Sequence, residues 1–209
     1  MFSFSKSKEQ KFWDWFSANL ERYFNFDYQN LETRAAVEES FDKLSDQLKK
    51  VHTHLCFEFG RVGDDGRREF ILSVGGIRDA LPAVEKLMKA CPEGILSQWD
   101  IQGFKPRMSL DLCLGFGDVV LNVDMLSFKP FEDRDAKLIG LEIYVAGIEV
   151  DDRIKSACFL FLDNALGEYD VATKIGFVEI KPQTELGDEQ SIAFRELPDL
   201  IDRYFLRKE

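Results

Sequence analysis

The chain has 209 residues, 45% of them hydrophobic and 31% charged, with a formal net charge of -11 and a sequence pI near 4.8. That hydrophobic share supports a substantial core and excludes wholesale disorder. The acidic balance argues against a non-specific nucleic-acid binder, which gains affinity by setting Lys and Arg on phosphates, and against adsorption to anionic membranes.

Residues 7–24 read as an amphipathic helix, with Phe12, Phe16 and Leu20 at four-residue spacing and Trp13 and Trp15 widening the stripe. Turn formers from Asn25 to Asn30 end it. A second helix is predicted over 32–50, where Val37, Phe41, Leu44, Leu48 and Val51 recur at spacings of 4, 3, 4 and 3. Two helices and a short turn predict a helical hairpin whose apolar stripes need cover from each other or from a sheet.

The pattern then changes to strands. Leu55–Phe59 and Arg68–Val74 flank Gly63-Asp64-Asp65-Gly66, which reads as a β-hairpin turn. Gly75-Gly76 closes the pair. A helix follows at 79–90 with Pro82 in its first turn, then a strand at 97–104. A second strand-rich block covers 108–147, and Gly115-Phe116-Gly117-Asp118 reads as a turn within it. The most apolar helix is expected at 151–165, covered on more than one side. A last strand at Ile175–Ile180 and a helix at 195–206 complete the order. Lys129–Asp135 and Pro182–Gln190 are the linker candidates, each short enough to be a loop. The two halves repeat one order of paired strands, helix and strand, without a residue-level repeat. The fold predicted is α+β, a mostly antiparallel sheet with an N-terminal helical hairpin and further helices packed on it. It is expected to form a single domain over 1–209, with possible sub-blocks 1–107 and 108–209.

Cys56, Cys91, Cys113 and Cys158 make no CxxC pair, and zinc sites usually draw on such pairs. All but Cys91 sit in apolar runs, where they are expected to behave as small hydrophobes. Residues 1–6 lack the apolar stretch of a secretory signal, and no window approaches 18 uncharged apolar residues. These features predict a soluble protein of a reducing cytoplasm, monomeric or homodimeric, without nucleic acid, membrane or cofactor.

His52 and His54 flank Thr53 and would share a face on a strand, so the pair is a weak metal candidate with Cys56 beside it. The competing reading is a surface or capping pair, and no metal is assigned. Gly75-Gly76 and Gly115-Phe116-Gly117 match neither phosphate-loop pattern. Arg61, Arg67, Arg68 and Arg107 are the candidates for gripping a small anion, with Glu58, Asp163 or Glu168 as a base. The same residues would serve as cross-strand ion pairs, each worth little at a surface. Asp163–Asp170 lacks the alternating ligand spacing of a calcium loop and reads as a helix cap at Gly167 followed by a solvated turn. No GxSxG nucleophile pattern is present.

Phe12-Trp13-Asp14-Trp15-Phe16, the run from Arg68 to Ile77, Trp99–Arg107 and Leu162–Asp170 together resemble an uncharacterised bacterial family of conserved hypothetical proteins. The resemblance spans most of the chain. It implies a bacterial cytoplasmic protein and implies no activity, cofactor or catalytic residue. Acidity, an aromatic first helix and the missing catalytic signatures point to a non-enzymatic binding or regulatory protein, for example an acidic inhibitor of a basic protein partner. Trp13 and Trp15 lie about 200° apart on a helix, so one is a candidate for meeting that partner. The alternative is a hydrolase or transferase acting on a small anionic substrate through the Arg and carboxylate cluster.

Overall fold

A computed structural model describes residues 5–26, 32–117, 119–187 and 190–206. It shows an α+β protein of helices and mostly antiparallel sheets. The chain divides into two compact units, Met1–Lys105 and Pro106–Glu209.

The first unit opens with α1 (Lys8–Ser17), α2 (Leu20–Phe24) and α3 (Arg34–Val51). Ser7 caps α1 in a reciprocal box with Gln10, satisfying two amides that the helix start leaves without partners. The single helix predicted over 7–24 is broken at Ala18 and Asn19. Asn19 turns its side-chain amide back to the Trp15 carbonyl, a local bond that competes with helix continuation. The part of the predicted turn that falls on 27–30 lies outside the described residues.

Strands β1 (Cys56–Val62), β2 (Arg68–Ser73) and β3 (Trp99–Gly103) form a sheet in the order β1-β2-β3. The first pair is an antiparallel hairpin, and β3 returns parallel to β2 through α4 (Leu81–Lys89). Alternation along the strands puts Phe57, Phe59, Phe70, Leu72, Trp99 and Ile101 on one face. Rings from the first helices pave that face: Phe16 stacks on Phe70 at 4.9 Å and meets Trp99 at 5.3 Å. Such ring pairs add about 0.5–1.5 kcal/mol each beyond their buried area. Helix α4 approaches where Gly103 has no side chain, with Met88 and Val84 against it.

The second unit holds a two-stranded ribbon of β4 (Cys113–Phe116) and β5 (Val119–Asn122), then β6 (Leu126–Asp133), β7 (Leu138–Val145), α5 (Asp152–Leu166), α6 (Glu168–Lys174), β8 (Ile175–Pro182), β9 (Ile192–Ala193) and α7 (Leu197–Leu206). Its main sheet runs β8-β7-β6-β9. Strands β6 and β7 are an antiparallel hairpin, and β8 returns parallel to β7 through α5 and α6. Each unit is thus built on a hairpin followed by a helical crossover to a parallel strand beside the second hairpin strand. Phe128, Ile139, Leu141 and Ile143 meet Cys158, Phe161 and Leu162 of α5 and Phe194, Leu197 and Ile201 near the end of the chain to form the core.

Four expectations change here. Lys129–Asp135 is no linker: most of it belongs to β6, and the rest is the turn into β7. Pro130 is tolerated within the strand because β9 pairs only with Ser127 and Phe128, so β6 is an edge at that point. Gly115 and Phe116 belong to β4 rather than to a turn, and Asp118 lies outside the described residues. Helix α5, expected to be covered on more than one side, leaves Phe159 and Leu160 exposed. Finally, Cys56 and Cys113 are exposed at strand starts, and Cys158 alone among the four cysteines is buried.

Candidate functional site

In the first unit the β1–β2 turn is closed by the Gly63 amide donating to the Arg67 carbonyl at 2.8 Å, with Gly66 at φ +76° supplying a conformation open to glycine. Asp65 accepts from the Arg67 amide at 3.0 Å and from its Nε at 2.7 Å. Those bonds hold the Asp65 carboxyl below the usual carboxylate range. Neighbouring strands place Glu69 beside Asp100, and Gln102 Nε2 donates to both, at 3.2 and 3.0 Å. Arg61, Asp64, Arg67, Glu69 and Asp100 line a concavity of about 410 Å³. Arg61 and Arg67 are therefore brought together, in company with more carboxylates than cations.

The other nominated residues of this unit go elsewhere. Glu58 pairs with Lys105. Arg68 turns to the helix side of the sheet, donating to the Phe24 carbonyl at 2.6 Å with its guanidinium 3.9 Å from the centre of the Phe26 ring. Trp13 is buried, and its Nε1–H donates to the Leu87 carbonyl at 2.8 Å. Trp15 is half-buried and lines a shallow concavity with Lys43, Asp46 and Lys50. His52 ends α3 and accepts from the His54 amide at 3.3 Å. Among the described residues no group of three or more His, Cys, Asp or Glu is arranged to hold a metal ion.

In the second unit Arg107 is a hub. Its Nε donates to the Leu166 carbonyl at the end of α5, and its other nitrogens reach Asp170 at 2.7 Å and Asp202 at 2.7 and 2.8 Å. A cation at a helix C-terminus is favoured by the carbonyls left open there. The arginine so placed joins α5, α6 and α7. Glu168 is 2% exposed in the first turn of α6, so the solvated turn expected after Gly167 is instead a helix start. Gly167 itself, at φ +77°, is the junction between the two helices. Asp163 is half-buried near the end of α5.

A larger concavity, about 700 Å³, opens beside the β6–β7 hairpin and α7. Pro130, Ile139, Leu200 and the Tyr204 ring line it, with Glu132, Arg134 and Arg203 among them. None of these was nominated from the sequence. Reading 129–135 as a linker left Glu132 without a place in the sheet and Arg134 without one in the hairpin turn. Arg203 carries a weak signal: it lies three residues from Leu200 and one from Tyr204, at the border of the apolar stripe of α7.

Burial pushes the Cys91 thiol up to about 11 and the Cys158 thiol up to about 12, so both are protonated and inert at neutral pH. Three of the four nominated arginines are already engaged: Arg67 with Asp65, Arg68 with a carbonyl and a ring, and Arg107 with two carboxylates. An anion would have to displace those partners. Comparison with family models, with curated proteins and with solved structures finds no match to the chain. No helix among the described residues is long and apolar enough to cross a membrane.

Proposed function

We propose that this chain is a non-enzymatic binding or regulatory protein whose second unit engages a basic protein partner. The carrying observation is the distribution of charge. The first unit has 15 Lys and Arg against 17 Asp and Glu, and the second 12 against 21, so nine of the eleven net negative charges fall in the second. Most described cations of that unit, including Arg107, Arg153, Lys174, Lys181 and Arg195, are taken up by carboxylates of the same unit. Asp135, Glu149, Glu185 and Glu196 remain exposed and, among the described residues, outside any ion pair. A field of one sign speeds and orients the approach of an oppositely charged partner. Free thiols support a reducing compartment such as the cytoplasm, and the resemblance noted above supports a bacterial one. The test is capture by the full chain from a bacterial lysate, with size exclusion alongside. A single basic protein released by raised salt, and lost with Glu149→Lys plus Glu196→Lys, is the expected result. No specific partner, with monodisperse monomer alone, would refute the proposal.

A second reading, an enzyme acting on a small anionic substrate, draws support from the concavity that joins Arg61 and Arg67 with Glu69 and Asp100. The surplus of carboxylates there makes it the weaker one. Titration with inorganic phosphate followed by amide shifts at 61–69 tests it, and unshifted amides would rule out the anion site.

A further inference from the structure

We infer that the groove between the β6–β7 hairpin and α7 is a binding site for a small amphipathic monocarboxylate, an apolar body carrying one anionic group. This goes beyond the proposed protein partner and rests on different residues. The volume, about 700 Å³, lies within the range of small-molecule sites. Pro130, Leu200 and the ring of Tyr204 provide an apolar floor, backed by the fully buried Ile139. The floor exists for a topological reason. Pro130 and Ile139 stand on the core face of the hairpin, and β9 ends at its pairing with Ser127 and Phe128, leaving the β6 edge open beyond them.

The polar groups of the groove have the opposite sign to their surroundings. In a unit with nine net negative charges, the groove presents Arg134 and Arg203 against the single carboxylate of Glu132. Arg134 contacts Glu132 at 3.3 Å, a surface pair of little strength. Arg203 spends its Nε on the Asp199 carbonyl at 3.0 Å, a contact that orients the guanidinium and leaves both terminal nitrogens without a partner among the described residues. A planar guanidinium of this kind takes a carboxylate through two parallel bonds. The apolar body would cover the floor while the carboxylate meets Arg203, with Arg134 as second cation.

Decanoate is the probe, titrated into the full chain and followed by amide shifts. Shifts at 131–139 and 200–204, with decanol binding at least tenfold more weakly than decanoate, are expected. Arg203→Gln, at an exposed position that leaves the fold intact, should weaken decanoate about tenfold while leaving decanol unchanged. Leu200→Ser tests the floor and should weaken both ligands. Equal binding of decanol and decanoate, unshifted amides in the two segments, or an unaltered Arg203→Gln would overturn the inference. So would binding confined to vesicles of an anionic phospholipid, which would make the site a membrane contact. Because Asp135, Glu149, Glu185 and Glu196 lie outside the lining, Glu149→Lys plus Glu196→Lys should leave decanoate binding unchanged, which separates this inference from the partner proposal.

Discussion

At the scale of single residues, similar side chains have unlike duties. Trp13 and Trp15 are two positions apart, and only Trp13 sends its N–H into the core, to the last turn of α4. Trp13→Phe removes a buried donor and part of the ring, so a loss of about 1–3 kcal/mol is expected by urea unfolding. Trp15→Phe puts a smaller aromatic ring at a half-exposed position and should change stability by less than about 0.5 kcal/mol. Arg107 differs from the other nominated arginines in joining three helices. Its bonds hold the Asp202 carboxyl below the usual carboxylate range. A carboxyl lowered in this way contributes stability above its ordinary value near 3.8, and that contribution disappears as the pH falls through the lowered folded value. Arg107→Gln should therefore destabilise at pH 7 and have less effect near pH 2, where the carboxylates are protonated in the parent too. Equal destabilisation at both pH values would show that the arginine acts through packing alone.

At the scale of elements, close approach determines which positions tolerate change. A methyl group at Gly103 would lie 2.9 Å from Met88 Cγ and 3.3 Å from Val84 Cγ1. Gly103→Ala should push α4 away from β3 at a cost of about 1–3 kcal/mol, measurable as a lower midpoint in urea. Pairing Gly103→Ala with Met88→Ala tests this account, since the second change opens the space and should make the glycine substitution nearly neutral. The helices and strands with strong periods were legible: α3, the β1–β2 hairpin, α4, α5 and α7 follow from spacing and turn residues. β6 was not, because Lys129, Pro130 and the charges from Glu132 to Asp135 look like a loop until the edge position of the strand is known. The break between α1 and α2 was also hidden, since Asn19 and Leu20 leave the apolar stripe unbroken.

At the scale of the whole molecule, charge and topology set the behaviour. Asp65, Asp124, Asp151, Asp202 and Glu142 are all held below their ordinary values, the last by Lys181 and Tyr144. Each stabilises the folded state above its ordinary value and loses that contribution as pH falls. Solvent screening keeps each contribution small because most of these carboxylates are exposed, so thermal stability should decline gradually below about pH 4, as scanning calorimetry would reveal. A midpoint that stays level between pH 5 and pH 2 would contradict this.

Composition and periodicity by themselves determined the α+β class, the order of most elements and the acidity, because each depends on counts and on neighbours along the chain. What only tertiary structure decided is which side chains share a site. Arg107 and Asp202 are 95 residues apart, Arg134 and Arg203 are 69 apart, and Trp13 reaches Leu87 across 74. Sequence spacing carries no signal for such pairs, since folding of the sheets and the docking of helices, not local geometry, brings them together. The candidate anion grip read from Arg61, Arg67, Arg68 and Arg107 was a list of residue types, and the fold distributed them among an acidic concavity, a ring face and a helix junction. The groove beside α7 arises from an open strand edge, a feature that exists only once the sheet is formed.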